Sequence, residues 1–166
     1  MAILFILNRF IFQNNLLLLT IVCLTSVILV IIVFSDLENY IIPDKAIISL
    51  GISGILFAYL SYYPLVQVIA LPLIMLSLAL LLKRCSVFFF GREALGMGDV
   101  KFFLVAGFYL TADTISTFFF LSGAFALVMG VLWRIAGKGE YFPFAPALCL
   151  ALYLCIIPNL MSHIIF

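Results

Sequence analysis

The sequence predicts an all-α, polytopic membrane protein of about six transmembrane helices, each taking about 20 residues to cross about 30 Å of hydrocarbon. Hydrophobic residues make up 67% of the chain and charged residues 9%, far below the roughly 25% charged residues of soluble domains. The mean hydropathy is +1.40, and the few charges fall between long uncharged runs. No water-facing surface can be assembled from that composition.

Residues 1–15 are expected to form an interfacial lead-in, because Arg9 interrupts the apolar run and no small-residue cleavage site marks a removable signal. Residues 16–166 then make a single six-helix membrane domain, since the spans consume nearly all of the 166 residues. The uncharged run Leu16–Ser35 is helix 1. From Ala46 to Leu82 the chain is again uncharged. As one helix it would be roughly 55 Å long, too long for a single crossing. Ser61-Tyr62-Tyr63-Pro64 supplies the reversal, because proline ends a helix and tyrosines favour the membrane interface. Helices 2 and 3 are placed at 46–61 and 65–82.

Residues 83–99 carry Lys83, Arg84, Arg92 and Glu93 and end in glycines, so most of this segment is read as a loop or surface stretch. Helix 4 runs from the Gly96-Met97-Gly98-Asp99 stretch to Thr111. Helix 5 fits between Asp113 and Arg134, and helix 6 from about Phe144 to Met161.

With a net charge of +1, no general field exists to collect nucleic acid or acidic partners. The distribution of charge is more telling. The connections after helices 1, 3 and 5, with their flanks, hold Lys45, Lys83, Arg84, Arg92, Lys101, Arg134 and Lys138, whereas the opposite side holds Arg9 alone. Basic residues near span ends collect on the cytoplasmic side, so both termini are expected outside. Cys23, Cys85, Cys149 and Cys155 form no C-x-x-C pair and read as apolar packing residues.

Asp36, Glu38, Asp44, Glu93, Asp99 and Glu140 all fall on the expected cytoplasmic side, with Asp113 alone on the other. Asp36 follows helix 1 and Asp99 opens helix 4, so two carboxylates can converge between helices at shallow depth. An ionisable group there is costly unless it faces a bundle interior or a watery cavity. Each acid could instead simply cap a span in the headgroup region. Gly96 and Gly98 free the backbone before Asp99 for close approach to an extended chain. Pro43 ends a short polar stretch beginning at Asp36 and can restart the chain as helix 2.

No serine has an evident base, the lone histidine, His163, is on the far side, and no His/Cys/Glu cluster has metal spacing. Among standard hydrolytic devices a pair of aspartates remains, two carboxyls that cannot easily both ionise and so share a proton. If helix dipoles set the order, Asp36 at a helix C-terminus holds the proton and Asp99 at a helix N-terminus is the more acidic.

These residues resemble the type IV prepilin peptidases, membrane aspartyl proteases with one catalytic aspartate before an I/L-P-D element and another in a G-x-G-D motif. Here the elements are Asp36 followed by Ile42-Pro43-Asp44, and Gly96-Met97-Gly98-Asp99 with Val100-Lys101 after it. Phe142-Pro143-Phe144-Ala145-Pro146-Ala147 looks like the family's element opening the last helix. The resemblance implies an aspartic endopeptidase with Asp36 and Asp99 catalytic, and with Gly96, Gly98, Pro43, Asp44, Lys101 and Glu38 in the motif or substrate groove. Glu38, Asp44 and Lys101 could bind a basic leader or tune the dyad, or be solvated interface charges. The implied substrate is a prepilin or pseudopilin, cut at the cytoplasmic face of the inner membrane. The chain looks like the short, peptidase-only form, without the paired C-x-x-C motifs of the methylating members, so neither a cofactor nor S-adenosylmethionine is expected. Three other readings compete: a small ion- or proton-coupled transporter, a noncatalytic membrane subunit of a pilus or secretion machine, and a presenilin-type protease. The apolar middles of the spans disfavour the first. The second gives no reason for the two motifs to share a side, and the setting of Asp36 before IIPD disfavours the third.

Overall fold

The computed structural model describes residues 2–90, 95–137 and 142–165. Six helices follow in order: α1 (Ala2–Asn39), α2 (Asp44–Leu60), α3 (Leu65–Phe90), α4 (Met97–Ala106), α5 (Thr114–Ile135) and α6 (Ala145–Ile165). Arg92, Glu93, Lys138 and Glu140 lie outside the described residues, as do the side chains of Arg9 and His163.

Among the described residues three segments are long and apolar enough to cross a membrane: Leu16–Asn39, Leu65–Phe88 and Thr114–Ile135; Ala145–Pro158 is a shorter apolar helix. The six expected helices are therefore present, but they are unequal. α2 has 17 residues and α4 only 10, or about 15 Å at about 1.5 Å per residue.

Three boundaries differ from those expected. The residues before Leu16 are helical and run into the span without a break, because nothing between Ala2 and Asn39 is a glycine or proline. A polar Arg or Asn changes solvation, not the backbone ladder. For the same reason α3 does not stop at the charges. It continues through Lys83 and Arg84 to Phe90, since long basic side chains can lie along an apolar helix and carry their charge outward. α4, by contrast, ends at Ala106 rather than Thr111. The chain leaves it at Gly107, where an added Cβ would lie 2.5 Å from the Pro72 Cα in α3. Only glycine permits that approach.

The expected reversal is present. α2 ends at Leu60 with Ser61 as its cap, the Ser61 and Tyr63 amides donate to Phe57 and Ala58 carbonyls at 2.9 and 3.0 Å, and Tyr62 takes a left-handed φ of 56° before Pro64. At the other end Pro43 directly precedes α2, and Phe142-Pro143-Phe144 directly precedes α6.

α1 packs on α2 and α6, α4 on α2 and α3, and α5 on α6. The core where they meet holds Ile32, Leu50, Phe57, Phe102, Phe103 and Leu148, all fully buried. Leu24, Val27, Ile48, Ile52, Phe120 and Leu127 point outward with more than half of their surface exposed. An apolar exterior around an apolar core is the arrangement lipid requires and water forbids.

Candidate active site

Helix direction alternates through the chain, so the end of α1, the start of α2, the start of α4 and the start of α6 meet at one end of the bundle. The end of α1, the start of α2 and the start of α4, with the chain beside them, enclose a cleft of about 370 Å³ lined by Asp36, Tyr40, Ile41, Ile42, Pro43, Asp44, Gly96, Met97, Gly98, Asp99 and Lys101. Of the residues singled out in the sequence, Asp36, Asp99, Gly96, Gly98, Pro43, Asp44 and Lys101 are thus together. Glu38 is exposed on the last turn of α1 and is not among the cleft-lining residues.

Asp36 sits in the last turns of α1, and its residue is 6% exposed. Its Oδ2 accepts the Ala145 backbone N–H at 2.9 Å. Ala145 opens α6, where the first amides have no partner within their own helix, so an acid of α1 caps a helix that begins 109 residues later. Four residues on, Tyr40 closes α1 with φ 54°, its N–H bonded to the Asp36 carbonyl at 3.0 Å. That left-handed residue turns the chain into the extended Ile41-Ile42-Pro43 strip forming one wall of the cleft, and Ser35 Oγ holds the strip by donating to the Ile41 carbonyl at 2.9 Å.

The opposite wall is the GMGD segment. Gly96 precedes the first turn of α4, and its N–H donates to Asp99 Oδ2 at 3.2 Å, so Asp99 caps its own helix from the third position. Gly98 lies against Ile42: a Cβ placed there would be 3.2 Å from Ile42 Cβ. The two walls touch at this point, and the glycine makes the contact possible. At the rim, Lys101 Nζ donates to Asp44 Oδ1. Their side chains are 48% and 69% exposed, so this pair contributes at most about 1 kcal/mol.

The two acids interact. α4 is too short to cross a membrane, and Asp99 stands at its cleft end. Burial first, and then the neighbouring Asp36 charge, push its carboxyl up to about 7, while the Gly96 N–H opposes the shift. Two carboxyls so arranged retain one proton to near neutrality, one as acid and one as carboxylate. Helix dipoles alone would put the proton on Asp36; the burial of Asp99 works against that order. The N-terminus of α6 also faces Asp36, its first amide fixing one oxygen of the carboxyl. Nothing in the sequence near Asp36 signals this partner. The FPFAP stretch marks a helix start but not where its first amide points.

Among the described residues no group of three or more His, Cys, Asp or Glu side chains could hold a metal ion.

An all-helical membrane bundle with two interacting carboxyls in one end-cleft, one of them in a glycine-flanked helix start, defines a recognisable class of membrane protein. The chain belongs to the type IV leader peptidase family, whose sequence profile matches residues 23–131, a stretch that includes both Asp36 and Asp99. It is also 28% identical over 138 residues to a protein of Aeromonas salmonicida (strain A449) named prepilin leader peptidase/N-methyltransferase, a match covering 78% of this chain and 46% of that one. A second Aeromonas salmonicida protein of the same name matches to the same extent. The chain therefore spans about half the length of the curated relatives it matches. No solved structure matches it.

Proposed function

We propose that this protein is an aspartic endopeptidase that cleaves the leader peptide from prepilin-like proteins at the cytoplasmic face of the inner membrane. Asp36 and Asp99 supply the chemistry, and both termini lie outside. The observation that carries the reading is the shared cleft, which two acids 63 positions apart in sequence both line.

The reaction follows from that arrangement. A water between the carboxyls gives a proton to the Asp36 carboxylate as its oxygen attacks the scissile carbonyl carbon. The Asp99 acid donates its proton to the carbonyl oxygen, giving a neutral tetrahedral diol. Collapse breaks the C–N bond; the amine takes the proton held by Asp36, and the diol returns one to Asp99. The pair is thereby restored without a metal or other group. Gly96 and Gly98 leave backbone beside Asp99 that an extended substrate can approach, and Pro43, Asp44 and Lys101 form the rim it must pass.

The test is to co-express wild type, Asp36→Asn and Asp99→Asn with a tagged prepilin from the same genome, following conversion of precursor to mature form and the amount of each variant in the membrane. Loss of processing at normal accumulation in either variant supports the reading. If both variants still process the substrate, the carboxyl pair is not the catalytic device.

A further inference from the structure

At the far end of α4, away from the cleft, Tyr109 is completely buried, and its hydroxyl meets three groups. It donates to the Leu50 carbonyl at 2.9 Å and lies 2.6 Å from Ser53 Oγ and 3.2 Å from Thr25 Oγ1. A phenol has one proton and two lone pairs. With its proton given to Leu50, the Ser53 and Thr25 hydroxyls donate to the lone pairs, and its capacity is filled. The knot joins α1 through Thr25, α2 through Leu50 and Ser53, and the turn leaving α4 through Tyr109.

Its place along the helices is what matters. From Thr25 to Asp36 is eleven residues of α1, or about 16 Å. From Asp99 to Tyr109 the chain follows α4 to Ala106 and then a tight turn in which Phe108 and Tyr109 N–H bond three residues back, to Val105 and Ala106. At about 1.5 Å per residue in the helix and about 2 Å in the turn, that path is again about 16 Å. α1 and α4 run in opposite directions, so tying them at Thr25 and Tyr109 brings Asp36 and Asp99 level at the other end.

We infer that Tyr109 is a positioning residue: its buried hydroxyl fixes the lengthwise register of α4 against α1 and α2 and thereby sets Asp99 opposite Asp36. The catalytic consequence rests on the proposed peptidase reading; the register claim stands without it. α1 packs on α2 and α6 whereas α4 packs on α2 and α3, so the knot supplies a direct polar link between the two helices that carry the acids. Gly54 makes room for it, since a Cβ there would lie 2.8 Å from Tyr109 Cε2. Apolar packing alone is tolerant of small slips along a helix axis, and a directional three-way hydrogen bond is not. Loss of the hydroxyl need not orphan its partners, because Ser53 Oγ already lies 3.0 Å from the Leu50 carbonyl and Thr25 can bond back into its own helix.

The test uses Tyr109→Phe, with the milder Thr25→Val as the second variant, and reads register and catalysis separately. For register, Ile42→Cys and Gly98→Cys are introduced with the four native cysteines replaced by alanine, and the rate of disulfide formation under mild oxidant is followed. A Cβ at Gly98 would lie 3.2 Å from Ile42 Cβ, a few tenths short of the usual disulfide range of about 3.5–4.5 Å, so wild-type register should cross-link readily. Tyr109→Phe is expected to accumulate normally and to cross-link several-fold more slowly. In the otherwise native protein it should lower kcat roughly tenfold with KM little changed, as misplacement of reacting groups does. Thr25→Val should move both readouts the same way by less, and it decides the matter if Tyr109→Phe fails to accumulate. Cross-linking at the wild-type rate, or a change confined to KM, overturns the inference. If the wild type processes no prepilin while cross-linking still slows in the variant, the peptidase reading fails and the register assignment stands.

Discussion

The Ala145 amide donates to Asp36 Oδ2 at 2.9 Å, binding the first turn of α6 to the last turns of α1. The acid caps the helix and the helix holds the acid. Asp36 therefore has one oxygen fixed, and its freedom to rotate toward or away from Asp99 is reduced before any substrate arrives. In catalytic terms that is preorganisation, in which orientation is set during folding and not during the reaction.

The pH response follows from Asp99. Its carboxyl, ordinarily an acid near 3.8, is raised to about 7 by burial and by Asp36. The proton is held below that value and lost as pH rises through it. Processing should therefore be sustained on the acid side of neutrality and fall about tenfold per pH unit above about 7. An initial-rate profile in sealed vesicles or detergent, with enzyme integrity checked at each pH, would measure it. A rate that keeps rising to pH 9 would contradict this protonation assignment.

Gly98 should accept a side chain poorly because of Ile42. The Gly98→Ala methyl would press on Ile42 Cβ and Cγ1 at 3.2 and 3.3 Å, pushing the walls of the cleft apart at their contact. A loss of roughly tenfold in kcat/KM is expected from that displacement. Adding Ile42→Ala in the same chain removes the Cγ1 and Cδ1 contacts at 3.3 and 3.4 Å while keeping that to Cβ, and should restore part of the activity, an outcome that distinguishes steric crowding from a need for glycine's backbone freedom.

Gly107 tests stability rather than chemistry. A methyl there meets the backbone of Leu71 and Pro72 at 2.5–2.9 Å, and backbone cannot move aside as a side-chain tip can. Gly107→Ala should cost about 1–3 kcal/mol or more, as overpacking does. Gly123→Ala is the control, since nothing lies within 4 Å of a Cβ at that position and alanine favours a helix by up to about 1 kcal/mol. Thermal unfolding of both in the same detergent should show a lowered midpoint only for Gly107→Ala.

The rim pair should matter little to folding. Lys101 and Asp44 are both substantially exposed, and such pairs contribute about 0–1 kcal/mol. Lys101→Met and Asp44→Asn should each leave the unfolding midpoint within about 2–4 °C of wild type, the shift of 1 kcal/mol in a chain of this size. A larger fall in either would show that the pair clamps α2 to α4.

Much of this fold was legible because lipid imposes a simple rule on sequence: long uncharged runs are helices, and charges mark their ends. Tyr63-Pro64 and Phe142-Pro143 announced the α2–α3 turn and the start of α6. Boundaries set by covalent geometry were also readable, but those set by a neighbour were not. α4 stops short because Gly107 meets Pro72, a contact between positions 35 apart that leaves no local mark. The extension of α3 past Lys83 is illegible for the opposite reason: charge marks the end of a span, but it does not end a helix whose backbone has no breaker. Within the candidate site, the meeting of Asp36 and Asp99 in one cleft was readable from their places at span ends. The amide of Ala145 and the hydroxyl of Tyr109 were not, because a backbone N–H has no sequence signature and a tyrosine in an apolar run looks like any other core aromatic.

The brevity of α4 bears on the surrounding lipid. Its ten residues cover about half of a 30 Å hydrocarbon layer, and the turn that follows satisfies its own polar groups. Thr111 N–H bonds Thr114 Oγ1 at 2.8 Å, and Gln67 reaches the Leu110 carbonyl at 3.5 Å. A connection so closed can lie within the bilayer, where exposed backbone could not. Val100, Phe102, Phe103, Val105 and Ala106 of α4 are buried, so protein and not acyl chains surrounds most of this short helix. The depth of Asp99 is then fixed by its protein neighbours, and a thicker or thinner bilayer has little direct hold on it.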